Sequence, residues 1–392
     1  MRRAWHRTVA SVITAAAALG LVSLPAFSAA QPAPAATTAG PPCRLGTITP
    51  SPSPSSYVGL FGIAALSPRN VWTVGYYLKA GAGEQTLVEH WNGQHWAVVA
   101  APSPGPNAAL YDVKAISPSD VWAVGLHANG NRVRENPFFE HWNGSAWSVV
   151  TSPAVRGFLG ALTAASPNDI WAVGALQTGT QVPPPKTLVE HWDGTRWQVV
   201  PSPSPGKYGD ILGGITVAGP DDVWAMGQMG TNRFDHVPLA EHWDGHTWST
   251  VTVPAEGFSS NLGGAAAAGP DDVWSVGSYD VQSPTGTLSF TLTERWNGRH
   301  WSIVASPSPT GDDQLTAVAA VSANDIWAVG STGANTTFVL RWTGHAWTTL
   351  PGLSRSGAVN GLFAVSAPTA TDIWAAGGGY KTVIEHLCPP SP

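Results

Sequence analysis

Charged side chains are scarce in this chain: Asp, Glu, Lys and Arg supply 11% of its 392 residues, with a formal balance of −6. A chain so poor in basic groups offers no broad cationic surface, which removes the electrostatic case for binding nucleic acid or an anionic membrane. Beyond residue 30 no apolar run is long enough to cross a bilayer, so membrane insertion is not expected. Cysteine occurs only at Cys43 and Cys388. No set of side chains stands at catalytic or metal-ligand spacing, and no cofactor or metal is expected.

The first segment reads as an export signal. Arg2, Arg3 and Arg7 precede an Ala-rich apolar stretch from about Val9 to Phe27, and Ser28, Ala29 and Ala30 offer small residues for cleavage. The paired arginines lack the flanks of a twin-arginine signal, and no Cys follows the apolar stretch for lipid attachment. Residues 1–30 are therefore expected to be a signal peptide and 31–42, rich in Pro and Ala, a flexible spacer. The mature protein, 43–392, is expected to be secreted and extracellular, as a monomer.

What is abundant is Gly (43), Pro (34) and Trp (20), a composition that suits an all-β protein with many tight turns. The tryptophans are periodic. A phrase like SPNDIWAVG recurs around Trp72, Trp122, Trp171, Trp224, Trp274, Trp327 and Trp374. Six copies then carry a second phrase like LVEHWNGQHWAVV, with paired tryptophans such as Trp91/Trp96 and Trp192/Trp197. Repeats of this length, each with four short strands and an Asn-Gly or Asp-Gly hairpin, predict a seven-bladed β-propeller of four-stranded blades. Small residues on the first strand fit crowding near the axis, and the large Trp rings fill the wedge between blades.

The ends of the chain complete one another. The seventh repeat stops at Cys388 before any fourth strand, while Gly46-Thr-Ile-Thr-Pro-Ser-Pro-Ser-Pro54 aligns with Trp197-Gln-Val-Val-Pro-Ser-Pro-Ser-Pro205. The N-terminal strand is thus expected to finish the last blade. In that alignment Cys388 and Cys43 take the places of Asp193 and Gly194, neighbours in a hairpin turn, and a disulfide between them is expected to close the ring.

On these residues, above all Ile326-Trp-Ala-Val-Gly330 and Glu190-His-Trp-Asp-Gly-Thr-Arg-Trp197, the repeats resemble kelch-like propellers of the galactose oxidase central-domain type. The family's usual double Gly occurs only as Gly377-Gly378. Galactose oxidase-like chemistry needs a Cys crosslinked to a Tyr at copper, and both cysteines are already placed in the disulfide. The Asp-Gly-x-x-Trp turns also look somewhat like the Asp-boxes of sialidases, one residue short.

The repeated polar residues read as structural. Glu and His at 89/90, 140/141, 190/191 and 241/242 sit next to each other on a strand, so they face opposite sides and cannot converge on one atom. Asp169 and Asp325 fit the chemistry of their turns. Function is expected where the repeats differ, in segments 78–85, 126–137, 175–186, 228–238, 278–290, 331–337 and 378–382, all on one face. Tyr57, Tyr76, Tyr77, Tyr111, Tyr208, Tyr279 and Tyr380 lie at or near that face and are candidate ligand-binding residues, each a rigid ring with a polar tip. Asp112 and Lys114, on the nearly uncharged inner strands, mark either a pocket by the axis or a local ion pair.

These readings favour a secreted, non-catalytic recognition propeller for a glycan or cell-wall polymer. A protein-interaction platform is the first alternative. A polysaccharide lyase or glycosidase is the second, drawing on carboxylates such as Glu135, Asp210 or Asp235. Arg132, Arg134 and Arg233 are too scattered for a sialidase-like cluster.

Overall fold

The computed structural model describes residues 47–387 apart from 56, 106, 129–134, 155, 178–183, 285, 334–335, 351–360 and 380. Residues 1–46, Cys43 among them, and Cys388, Tyr380, Arg132 and Arg134 lie outside the described residues, as does the Glu135 side chain.

The described residues form seven four-stranded antiparallel sheets. Blade one consists of Val58–Ser67, Asn70–Lys79, Gly83–Trp91 and Trp96–Val98, and the next five repeat this order. Blade seven takes Gly361–Thr369, Asp372–Gly378 and Thr382–His386 from the end of the chain and Thr47–Ile48 from its beginning, with Thr47 opposite His386. The first strands lie side by side around the axis, and that of blade one packs against that of blade seven. The molecule is therefore a closed seven-bladed propeller whose N-terminal strand completes the last blade. No described helix is long and apolar enough to cross a membrane.

Each blade is covered on both sides by its neighbours, so its second strand is buried on both faces. Val71 through Gly75 are all buried, which explains why such strands read as continuous apolar runs instead of alternating. Trp72 packs on Trp142 and Trp147 of the following blade, with centroids 5.2 and 5.5 Å away. The contact repeats around the ring until Trp374 of blade seven meets Trp91 and Trp96 of blade one at 5.7 and 5.9 Å. Trp327 has no such pair ahead of it and packs with Leu362, Ile373 and Leu387 instead.

The first strand of every blade carries a register shift at the same place, between Leu60 and Gly62 in blade one and between Leu362 and Ala364 in blade seven. The Leu before the shift is buried in all seven blades. It pairs with the Gly that ends the second strand, Leu60 with Gly75 and Leu212 with Gly227. A Cβ on these glycines would lie 1.8–2.0 Å from a carbonyl oxygen of the first strand, so the close approach of the two strands admits no side chain there. The bulge leaves one residue per blade outside the ladder and re-aims it. Those residues are Phe61, Tyr111, Gly160, Gly213, Gly263, Thr316 and Phe363, and all seven line the central channel.

Candidate functional site

The recurring polar residues of the third strands are consumed by the scaffold. His141, His191, His242 and His386 bond Asp120, Asp169, Asp222 and Asp372 at 2.8–2.9 Å, and each ring lies 3.8–4.3 Å from the Trp of its own second strand. His90 makes the same bond to Asn70. In blades five and six Arg295 and Arg341 take over, bidentate on Asp272 and Asp325 and over Trp274 and Trp327. Asp169 and Asp325 are thus acceptors for the third strand, a role beyond the turn chemistry expected for them.

The adjacent glutamates point the other way and are fully buried. Glu89 accepts from the Ser51 hydroxyl, and Glu190 from that of Ser152 at 2.6 Å. Burial pushes both carboxyls up to about 7 even so. Among the described residues Glu140 and Glu294 have no hydrogen-bond partner at either oxygen, and the Ser51 position of the preceding blade is held by Ala101 and Val253, which have no hydroxyl to offer. Burial alone raises these two to about 8.

Of the carboxylates considered for hydrolysis, Asp210 and Asp235 are each engaged by a neighbouring group of their own segment. Asp210 is buried, its carboxyl raised by desolvation, and it holds the Gly206 N–H at 2.8 Å. Asp235 accepts from the Asn232 amide at 2.5 Å in a surface turn. Among the described residues no three His, Cys, Asp or Glu side chains converge as a metal ion would require.

What does converge is aromatic. The first strand of each blade runs downward from the loop-bearing face, so its bulge residue sits near the upper mouth of the channel, a cavity of about 470 Å³. Phe61 stacks on Phe363 at 5.3 Å and on Tyr76 at 5.6 Å, and lies 5.6 Å from Tyr111. Tyr57 lies 6.2 Å from Tyr76. These five rings from blades seven, one and two make one continuous wall, of which Phe61, Tyr111 and Phe363 line the channel itself. The Phe61 and Phe363 rings fold back over Gly59 and Gly361, where a Cβ would come within 3.0 and 3.1 Å of them. Burial raises the Tyr76 phenol far above its ordinary value, reinforced by Tyr57 and Glu84.

Across the channel the same bulge position is Gly160, Gly213 and Gly263. None of the three has a positive φ, and a Cβ would have 3.5–3.6 Å to its nearest neighbour. Packing does not demand glycine there, and the effect is to keep the channel open opposite the aromatic wall.

Of the tyrosines picked out in the sequence, Tyr57, Tyr76 and Tyr111 belong to this wall. Tyr77 faces the other way and packs against the core between blades seven and one. Tyr279 stacks on Phe290 at 5.5 Å beside the core between blades four and five. Tyr208 is exposed on its loop with the Lys207 ammonium 5.6 Å from its ring. Phe61 and Phe363 escaped sequence reasoning, although they are the two phenylalanines in a row otherwise filled by Tyr, Gly and Thr.

Asp112 and Lys114 both line the channel below Tyr111 but form no ion pair within 4 Å. Asp112 instead accepts the N–H of Val113 at 2.8 Å and of Leu162, in the next blade, at 2.9 Å. Desolvation pushes its carboxyl up to about 6, opposed by those donors and by Lys114. Desolvation likewise lowers the Lys114 ammonium, opposed by Asp112.

No protein-family model matches the chain, and no curated protein matches it. Solved structures do match. A structure of YCF48 bound to D1 peptide aligns with TM-score 0.54 and 13% identity, over 86% of this chain and 95% of that one. YCF48 from Cyanidioschyzon merolae gives 0.53 and 16%, over 88% and 99%. A chain of the mitotic checkpoint complex gives 0.56 and 11%, over 93% and 100%. At these identities the likeness is one of fold.

Proposed function

We propose that this protein is a secreted, non-enzymatic recognition propeller that binds an extracellular glycan or cell-wall polymer at the upper mouth of its central channel. The observation that carries this is the wall formed by Tyr57, Phe61, Tyr76, Tyr111 and Phe363 opposite three glycines that packing does not require. Aromatic faces suit the apolar faces of sugar rings, phenols add hydrogen bonds at their edges, and a cavity of about 470 Å³ lies within the range of small-ligand sites. In a pull-down with insoluble polysaccharides and cell walls, the mature protein is retained and a Phe61→Ala, Tyr111→Ala double variant loses at least ~90% of that retention. Gly213→Leu, which fills the channel without touching the wall, loses it as well. Equal retention of all three forms would remove the channel from consideration.

A protein partner is the second reading. Its support is Phe234, 83% exposed at a turn whose Asn232 side chain accepts the N–H groups of Phe234 and Asp235 at 2.8 and 2.9 Å. A Phe234→Ser variant that keeps polysaccharide retention argues for the glycan.

Export, kinship with kelch-type propellers and a Cys43–Cys388 disulfide belong to the same proposal. The pairing of Thr47 with His386, four and two residues from the cysteines, supports the bridge. Replacing both by serine is expected to cost about 2–5 kcal/mol in urea unfolding. The denatured, unreduced wild type should show no free thiol; two titratable thiols would refute the bridge.

A further inference from the structure

We infer that Lys114 seats a carboxylate, so that the glycan taken by the channel is an acidic one carrying uronic acid. This rests on the glycan reading above and narrows it. Lys114 lies three residues below Tyr111 on the same strand, about 10 Å deeper along the channel. A ligand ring on the aromatic wall and an anionic group on the ammonium are thus one sugar or two apart.

The other blades show that the fold does not ask for lysine here. The equivalent positions hold Ala64, Thr163, Thr216, Ala266, Ala319 and Ser366. Two of these have a visible task. Thr216 accepts the N–H of Ala267 at 3.1 Å, and Ser366 that of Ala65 at 3.0 Å, each tying its blade to the next. An ammonium has no acceptor and cannot do this. In blade two the tie is made by Asp112, one turn of the pleat higher, through the Leu162 N–H.

Lys114 is left with no hydrogen bond and no ion pair among the described residues, and it is the one cationic side chain lining the channel there. Asp112 is held to the wall by its two N–H donors, beyond 4 Å from the ammonium. A lysine held on the wall of a channel with no fixed partner is a site that an anion completes. The channel around it favours a sugar over an apolar peptide. Beyond the single aromatic wall, its lining combines Gly, Ala and branched aliphatic residues such as Ile215 with the Thr163, Thr216 and Thr316 side chains, and offers no further aromatic ring among the described residues.

The test is calorimetric titration of the full mature protein with trimers of galacturonate and of mannuronate, each as the free acid and as the methyl ester. Esterification removes the charge and keeps the sugar. One acid should bind at least ~10-fold more tightly than its ester. Lys114→Met should bring the acid down to the ester's affinity and leave the ester unchanged, while Lys114→Arg keeps most of the preference. Acid and ester binding equally, both weakened by Phe61→Ala, would overturn the carboxylate seat and leave the glycan reading standing. No trimer binding, together with Lys114-dependent binding of the dipeptide Gly-Phe through its C-terminal carboxylate, would overturn both. No binding of trimers or dipeptide to a protein retained on cell walls would overturn the carboxylate seat alone.

Discussion

Gly227→Ala is expected to abolish folding, or to lower stability by more than about 4 kcal/mol, although it adds one methyl group to a strand. The new Cβ would fall 1.9 Å from the Ile211 carbonyl oxygen and 2.9 Å from the Leu212 Cα, both backbone atoms that cannot rotate away. Relief requires the first and second strands of blade four to part. That breaks the ladder beside the bulge and lifts Leu212 out of its buried seat. Effects of this size come from a short set of mechanisms, and backbone collision is one of them. Gly269→Ala, with nothing within 4 Å of its Cβ, is the control and should change stability by no more than ~0.5 kcal/mol. Circular dichroism melts of the two variants beside wild type decide the matter. A Gly227→Ala protein that melts within a few degrees of wild type would refute the account of the repeated glycine.

The second large effect is a dependence of stability on pH, and its reversal by Glu140→Leu with Glu294→Leu. Both carboxyls stay protonated in the folded chain up to about 8, whereas in the unfolded chain they ionise near 4.5. Between those values the unfolded state has given up protons that the folded state retains. Stability therefore falls as pH rises through this window and does not change with these groups below it. The slope approaches ~1.4 kcal/mol per pH unit for each carboxyl. Blade six already contains the alternative, since Leu340 occupies the same position and is fully buried. Importing leucine into blades two and five should flatten the decline between pH 5 and 8, with a gain over wild type that is smallest near pH 5 and largest near pH 8. Glu190→Leu should gain less, because it strands the Ser152 hydroxyl. Parallel melting curves for wild type and the double variant across this range would contradict the mechanism.

The architecture was legible because its determinants repeat. Seven copies of one tryptophan and six of a tryptophan pair report contacts that recur around a ring, and the missing fourth strand of the last repeat matched the extra one at the start. The candidate site was less legible because it is where the repeats stop agreeing. Phe61, Tyr111 and Phe363 are three entries in a column otherwise held by Gly and Thr, and the column becomes meaningful only with the bulge, which carries no sequence mark of its own. The alternation that separates Glu89 from His90 also separates Tyr76 from Tyr77, so tyrosines adjacent in sequence do not share a surface. Asp112 and Lys114 sit two apart on one strand and invite pairing, yet the nearest donors for the carboxylate are backbone N–H groups, one from another blade. No pattern within a single repeat announces such a partner.

The sharing of blade seven between the two ends of the chain has a consequence for synthesis. A ribosome delivers Thr47–Ile48 first and Thr382–His386, to which it pairs, last. Through nearly the whole of translation Trp91 and Trp96 wait without Trp374 to cover them. Early blades can take shape, but the circle stays unsealed, with apolar flanks open to chaperones, until the final strand emerges. Such a nascent chain is poorly suited to maturing in stages and well suited to being kept extended until translation is finished.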